Sequence, residues 1–452
     1  MTERETHAVV IGASMAGLCA AAALARHFQR VTVIERGALD EGSAYRKGVP
    51  QGRHLHVLLA AGLGALERTF PAFREQAITR GASELDIGDF GTVYLRGVLM
   101  PKVSIGHNSL LMSRPALEEC VRDQLRKDQT VHFRTGTTVQ ALLGDAHAIT
   151  GVRVASTDGS LVEALSADLV VDASGRGSKL PTWLQGLGLA AAPEDVVRSR
   201  VTYASCTIAR KPQHLGGAPA WVMTPAPPQV RFGAALALEA DRFMITITTY
   251  VGEPGPQNYR EMVAYAHSLP YPGLHELLQG AEPLSETTLM QDPLSRRRRY
   301  ELLRRFPAGL LALGDALCSF NPAYGQGMSV AALEGEALGL CLQRGRDGIA
   351  RRFFAAAAKI VDAPWLLATG ADFQWPQVEG RRPFGTALIN RYVARVIETA
   401  GSDPMVAKQL FRVMHLLQAP NSLFAPAILR RVLLPSAQTA PRAEPQIASE
   451  RA

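Results

Sequence analysis

Residues 7–35 constrain the fold more than any other part of the chain. A short apolar run, His7-Ala-Val-Val-Ile-Gly12, is followed by an Ala-rich, helix-favouring stretch from Leu18 to Phe28 and a second apolar run, Val31-Thr-Val-Ile-Glu35. Two strand-like runs around a helix within about 30 residues form a βαβ unit, the opening of dinucleotide-binding folds. At the first join stands Gly12-Ala-Ser14-Met15-Ala16-Gly17. Gly12 permits a tight turn, and the small Ala16 and Gly17 let the helix lie close to the sheet. The helix N-terminus offers free N–H groups to a pyrophosphate. Ser14 occupies the middle glycine position, where its hydroxyl can itself donate to phosphate. Glu35, followed by Arg36, closes the second strand and is placed to accept from ribose hydroxyls. A carboxylate there repels a 2′-phosphate, so the unit favours FAD or NAD over NADP.

A second strand, turn and helix start lies far down the chain. Leu311-Ala-Leu-Gly314-Asp315-Ala316 leads to Asn321-Pro322-Ala-Tyr-Gly325-Gln-Gly327-Met328-Ser329. A nicotinamide-only dehydrogenase has no use for this element, whereas a flavin does. Reduced flavin carries negative charge near N1, which a helix N-terminus stabilises, and glycines let the backbone approach the ring. Asp315 is placed to accept from a ribityl hydroxyl. The dinucleotide implied by the pair of motifs is therefore FAD.

The rest of the chain fits this frame. Its 452 residues are 47% hydrophobic and 20% charged, the composition of a globular protein of two or three lobes rather than a disordered one. No long uninterrupted apolar run or signal-peptide core is present, so the expectation is a cytoplasmic protein without a transmembrane segment. Cys19, Cys120, Cys206, Cys318 and Cys341 are scattered, as free buried thiols are, with no metal-ligand spacing. The net charge of +7 is modest, and without interleaved aromatics nucleic acid is not an expected partner. The basic run Arg296 to Arg299 is expected to form a solvated face or an anchor ahead of a buried strand. A helix is expected over Ser113–Arg126, with strands at Val131–Arg134, Ile149–Val154 and Leu169–Asp172. The alternation in Arg242–Tyr250 suits a sheet with one wet face.

The fold class expected is α/β. A discontinuous Rossmann-like FAD-binding domain spans 1–75, 100–189 and 290–349, and a β-sheet substrate lobe spans 76–99 and 190–289. A C-terminal helical region covers 350–435, and 436–452 reads as a disordered tail.

On these motifs and their order the chain resembles the para-hydroxybenzoate hydroxylase-like (class A) flavin monooxygenases, whose FAD domain is of the glutathione reductase type. The segment Tyr45-Arg-Lys-Gly-Val-Pro-Gln-Gly-Arg-His54, with His56 just beyond, is most similar to bacterial polyether-pathway polyene epoxidases and their squalene epoxidase-like relatives. By position, the resemblance implies that Gly12, Ser14, Met15, Ala16, Gly17, Glu35 and Arg36 hold ADP. Arg114, with Arg46, Lys47 and Val139, flanks the cofactor. Gly314 and Asp315 hold the ribityl chain, and Pro322, Gly325, Gly327 and Met328 face the isoalloxazine. His54 and His56 are expected to serve packing or hydrogen bonding. The middle motif, Asp172-Ala-Ser174-Gly175-Arg-Gly177-Ser178, carries Ser174 where the family has an acid, which leaves direct nicotinamide use open. NADPH or NADH reduces the flavin either directly or through a separate flavin reductase.

The activity implied is transfer of one oxygen atom from O2, by way of a flavin C4a-hydroperoxide, to an apolar small-molecule substrate. The foremost reading is epoxidation of a polyketide or terpenoid alkene, and the alternative is oxygenation of an aromatic polyketide or quinolone ring. A flavin-dependent reductase or dehydrogenase acting on a double bond is a further alternative. The flavin supplies the chemistry, so no side chain is assigned as a catalytic base and no metal is required. Trp221 and Tyr250 are the candidate substrate contacts in the lobe.

Overall fold

The computed structural model describes residues 5–39 and 50–434. Arg46, Lys47 and the expected tail lie outside the described residues. The opening βαβ unit forms as expected, with strand β1 at His7–Ile11, helix α1 at Met15–Ala25 and β2 at Arg30–Ile34. The next parallel partners are β3 at Val131–Arg134 and β4 at Leu169–Asp172. Four strands of the second lobe follow: β5 Thr202–Ala209, β6 Ala220–Met223, β7 Arg231–Leu238 and β8 Arg242–Thr249. Strand β9, Leu310–Ala312, then returns to the first sheet.

That sheet has the order β9-β4-β1-β2-β3 and is parallel throughout. Its strands are buried on both faces, which is why they read as continuous apolar runs. α1 covers one face so closely that ten of its residues, from Met15 to Leu24, are buried. Helix α2 at Arg114–Arg126 starts where Ser113 accepts a hydrogen bond from the backbone N–H of Ala116, with Pro115 in its first turn.

The second lobe is a seven-stranded sheet in which β5, β8, β7 and β6 are antiparallel neighbours. Its edges are Thr288–Gln291 on one side and, paired to Thr92–Leu95, the two-residue strand Val98–Leu99 on the other. Pairing opposes Ser205 to Thr246 and Thr246 to Ala234, so these side chains share one face with Met244 and Leu236. Trp221, Ala235 and Ile245 share the other face. Helices α3 (Tyr259–His267) and α4 (Gly273–Gln279) cover that second, outer face: a side chain at Gly273 would meet the Trp221 ring at 2.7 Å. The inner face turns to the flavin-type domain, because Ser205 reaches His54 and Tyr203 reaches Asn321. The single wet face expected for Arg242–Tyr250 is therefore not present: β8 is buried from Phe243 to Thr249, covered by helices on one side and by the first domain on the other.

Of the two forms expected for the basic run, the solvated face is not present. Ser295–Arg298 is itself a strand, and Arg297 and Arg298 are each only 3% exposed. They are matched by Glu194, Glu301, Asp362 and backbone carbonyls, so the run stitches the sheet rather than presenting a solvated face. Helix α5 (Gly327–Leu342) leads into the 24-residue α6 (Ile349–Asp372), which α5 packs against. Among the described residues α6 alone is long and apolar enough to cross a bilayer, yet it buries Phe353, Phe354, Val361 and Asp372 within the protein. The remaining C-terminal helices pack on residues 87–105 as a third apolar cluster.

Candidate active site

Three glycine contacts lock the sequence motifs together. Gly12 adopts φ +103°, and a Cβ there would lie 2.6 Å from the Ala173 carbonyl oxygen of the middle motif. A Cβ on Gly17 would lie 1.9 Å from the oxygen of Gly12, and one on Gly314, at φ +66°, 2.5 Å from the Ala16 Cβ. Larger residues at these positions would force the first, middle and late motifs apart. The N-terminus of α1 sits inside this knot. Ser14 is its N-cap, but its hydroxyl caps nothing and is available to a ligand. Glu35 is buried, with Oε2 accepting from Ala13 N at 3.0 Å and Oε1 from Gly37 N at 3.0 Å. These bonds fix the carboxylate at the end of β2, beside the turn that leads into α1. Arg36 beside it is exposed, and Val139 lies on the strand Thr137–Gly144, whose first residue hydrogen-bonds the Glu35 carbonyl.

Arg114, the first residue of α2, faces the same N-terminus. Its Nε donates to Glu118 Oε1 at 3.0 Å, and that oxygen also accepts from Met15 N at 3.2 Å. Its Nη1 reaches Gln51 Oε1 at 2.8 Å and His56 Nε2 at 3.2 Å. Burial, assisted by the Arg114 charge, lowers the His56 pKa to about 3, so the ring is neutral. The His54 carbonyl can only accept, so His56 Nδ1 carries the proton and Nε2 accepts from Arg114. Hydrogen bonding is thus the role of His56, as expected, and it holds Arg114 in place.

The middle and late motifs meet through Arg176 and Glu334, two residues that the sequence reading did not single out. Asp172, fully buried, accepts from the Ser174 hydroxyl at 2.5 Å and the Ser178 hydroxyl at 2.5 Å, which ties the hydroxyl of the otherwise exposed Ser174 to Asp172. Arg176 instead bridges the motifs: it donates to the Leu294 and Phe320 carbonyls and approaches Asp315 Oδ2 at 3.3 Å. Glu334, buried in α5, accepts from Gly314 N at 2.7 Å and fixes the turn that presents Asp315. Burial raises the Glu334 pKa to about 8, so it is mostly a neutral acid at pH 7. An acid inside the otherwise apolar run Val330-Ala-Ala-Leu-Glu334, on the opposite side of Gly335 from the surface acid Glu336, was the signal available for it.

Beyond Asp315, Pro322 opens a short turn, Gly325 adopts φ +63°, and Gly327 begins α5 with its Cα hydrogens toward Asp315 Oδ1. Met328 is buried under this turn, and the Gln326 side-chain oxygen is buried with no partner among the described residues. An unsatisfied acceptor in this loop, an uncapped helix N-terminus and a cradle that a Cβ would fill all suit an FAD laid from Glu35 to Gly327.

Opposite the late loop lies the inner face of the large sheet. Asn321, fully buried, accepts from the Tyr203 hydroxyl and donates to Tyr250 Oη at 2.7 Å and Asp372 Oδ1 at 3.0 Å. Asp372, the last residue of α6, also accepts from the hydroxyls of Tyr250 and Tyr324, both at 2.8 Å. Burial raises its pKa to about 6 despite these three donors. Tyr250 therefore stands on the site side of the sheet, but as a buried strut to the flavin loop, packed on Phe232 and Trp375. Trp221 is on the outer face, 3% exposed and turned away from the loop. The structure thus separates two residues that composition had grouped. Among the described residues no group of His, Cys, Asp or Glu could hold a metal, and all five cysteines are free.

With this geometry established, comparison with known proteins is informative. The FAD binding domain family matches residues 5–352. Protein Rv3254 of Mycobacterium tuberculosis (strain ATCC 25618 / H37Rv) is 32% identical over 435 residues, covering 91% of this chain and 90% of that protein. Among solved structures, p-nitrophenol 4-monooxygenase PnpA from Pseudomonas putida DLL-E4 is similar with a TM-score of 0.64 at 18% identity, covering 92% of this chain and 99% of that one. The flavin-dependent brominase Bmp2 gives 0.65 at 15% identity, covering 95% and 98%. The chain belongs to the FAD binding domain family and has the fold of the flavin-dependent monooxygenases.

Proposed function

We propose that the protein is an FAD-dependent monooxygenase that places one oxygen atom from O2 on an electron-rich carbon of an apolar substrate, foremost the alkene of a polyketide or terpenoid. The observation that carries this reading is the inner sheet face, where Phe232, Ala234, Leu236 and Met244 form an apolar wall toward the flavin-loop side of the first domain. FAD, when bound, supplies the oxygen chemistry. Gly12, Ser14, Gly17 and Glu35 would hold its ADP, and Asp315, Gly325 and Gly327 its ribityl and ring. Arg114, Arg46 and Lys47 would flank it. The chain's own work is to fix the flavin loop through Asn321 and to keep water from the reacting centre with the apolar wall. We include the division into FAD-binding segments 1–75, 100–189 and 290–349 and the lobe 76–99 and 190–289 in this reading.

NADH or NADPH is the electron source, directly or through a flavin reductase. The engagement of the Ser174 hydroxyl by Asp172 supports a transient rather than a built nicotinamide site. The second reading, oxygenation of an aromatic ring, is favoured by the hydroxyl-bearing stripe of Ser205 and Thr246 within the wall.

Turnover of the holoenzyme with reduced nicotinamide and a panel of polyene and aromatic polyketides tests the proposal. The expected result is substrate-dependent O2 uptake with a product one oxygen heavier. Turnover that proceeds without O2 would assign a reductase instead, and turnover that requires bromide would assign a halogenase.

A further inference from the structure

The stripe of polar groups crossing the apolar wall has a direction. Leu55 N donates to Thr246 Oγ1 at 3.4 Å, Thr246 Oγ1 lies 2.7 Å from Ser205 Oγ, and Ser205 Oγ lies 2.9 Å from His54 Nδ1. A backbone N–H can only donate. If Thr246 passes its own proton to Ser205, and Ser205 passes its proton to His54 Nδ1, every hydrogen in the chain finds an acceptor. The reverse order leaves the Thr246 hydroxyl proton without an acceptor among the described residues. The satisfied order requires an unprotonated Nδ1, so His54 carries its proton on Nε2.

Burial, with the Arg53 charge, lowers the His54 pKa to about 4, so the ring is neutral and holds only that one proton. His54 is 5% exposed; among the described residues only its Nδ1 is hydrogen-bonded, and Nε2 is not fully enclosed. His54 lines a narrow cleft between Leu236, Leu238 and Met244 of the sheet and Met112 of the first domain, with Ser113, Arg114 and His56 at its polar end. His54 and His56, two positions apart, are thus opposite tautomers: His56 spends its proton on a backbone carbonyl, whereas His54 keeps its proton for the cleft.

We infer that His54 is a fixed hydrogen-bond donor to the substrate, and that the substrate presents an oxygen acceptor, a phenol or ketone oxygen, on an otherwise apolar body. The inference rests on the oxygenase reading for the word substrate, and it deepens that reading by excluding a bare hydrocarbon. A neutral donor in an apolar wall suits an uncharged oxygen. It also discriminates well, because a ligand without the acceptor leaves a buried N–H unpaired.

The test uses the holoenzyme and two probes of similar shape, 2-naphthol and 2-methylnaphthalene, titrated while the visible absorbance of the bound flavin is followed. The methyl compound is the more apolar, so apolar burial alone favours it. The expected result is that 2-naphthol binds the wild type about tenfold more tightly than 2-methylnaphthalene. His54→Leu brings the two within about twofold, Ser205→Ala weakens the preference by a few-fold, and His54→Gln, which keeps an N–H near the Nε2 position, retains most of it. FAD content is unchanged in all three variants. An undiminished preference in His54→Leu, no preference or no response in the wild type, or loss of FAD from His54→Leu would overturn the inference, the last by making His54 a flavin contact. The titration involves no turnover, so its outcome is separate from that of the O2-uptake experiment.

Discussion

The flavin cradle and the inner face of the large sheet meet at Asn321, yet they are built by different means. The cradle is fixed by the backbone: Gly12 against Ala173, Gly17 against Gly12 and Gly314 against Ala16 leave no room for a Cβ. The inner face is fixed by side chains whose hydrogen bonds span distant elements: His54 to Ser205, Tyr203 to Asn321, and Tyr250 and Tyr324 to Asp372. A backbone-determined site tolerates little substitution and binds one ligand. A site made by side chains keeps its frame while its lining varies, which is how one cofactor fold serves many substrates.

If that contrast is sound, substitutions on the two sides should fail differently. Gly12→Ala should have the largest effect, since it combines a disfavoured φ with a backbone collision. We expect loss of FAD from the purified protein and about 3 kcal/mol or more of destabilisation in denaturant melts. A folded Gly12→Ala that keeps FAD would break the backbone half of the comparison.

Asp372 provides the corresponding test on the side-chain half. Its native pKa is raised from 3.8 to about 6, so the folded state binds the proton more tightly than the unfolded state. Stability contributed by this group is therefore full below about pH 4 and is lost as pH rises through about 6, by up to about 3 kcal/mol. Asp372→Asn should flatten that slope in urea melts between pH 4 and 7. An unchanged slope would show that the buried carboxyl does not titrate as described.

Smaller effects sharpen the picture. Glu334→Leu strands the Gly314 N–H and should cost about 2 kcal/mol, whereas Glu334→Gln, a mimic of the neutral acid, should stay within about 0.5 kcal/mol. Equal losses would mean that Glu334 acts as a charge. Trp221→Phe, on the outer face, should cost about 1 kcal/mol in stability and leave probe binding at the flavin untouched. A shift in the naphthol titration would place Trp221 in the site after all.

The same contrast explains what the sequence disclosed. Backbone constraints leave local signatures, so β1, α1, β2, the Ser113 cap of α2 and the Gly314-Asp315 turn were all legible from short windows. The inner face was not, because side-chain direction in a sheet depends on register, and register depends on partners far along the chain. Trp221 and Tyr250 looked alike as aromatic residues of one lobe, but strand pairing sends one to the outer helices and the other to Asn321. Arg296 to Arg299 read equally as a solvated face or an anchor because Glu194, Glu301 and Asp362, which neutralise its buried members, are mostly remote in sequence. Asp372 gave no signal beyond an acid ending an apolar helix, and its meaning comes from two tyrosines and an asparagine contributed by other elements.

The claim on which the rest depends is that the three motifs form one FAD site, with Asp315 at its centre. FAD content and affinity of the purified wild type and of Asp315→Ala, measured by flavin absorbance and fluorescence titration alongside circular dichroism, test it most directly. The expected result is FAD uptake by the wild type and about 100-fold weaker binding by a normally folded Asp315→Ala. Full FAD occupancy in the variant, or a wild type that takes up no FAD, would contradict it.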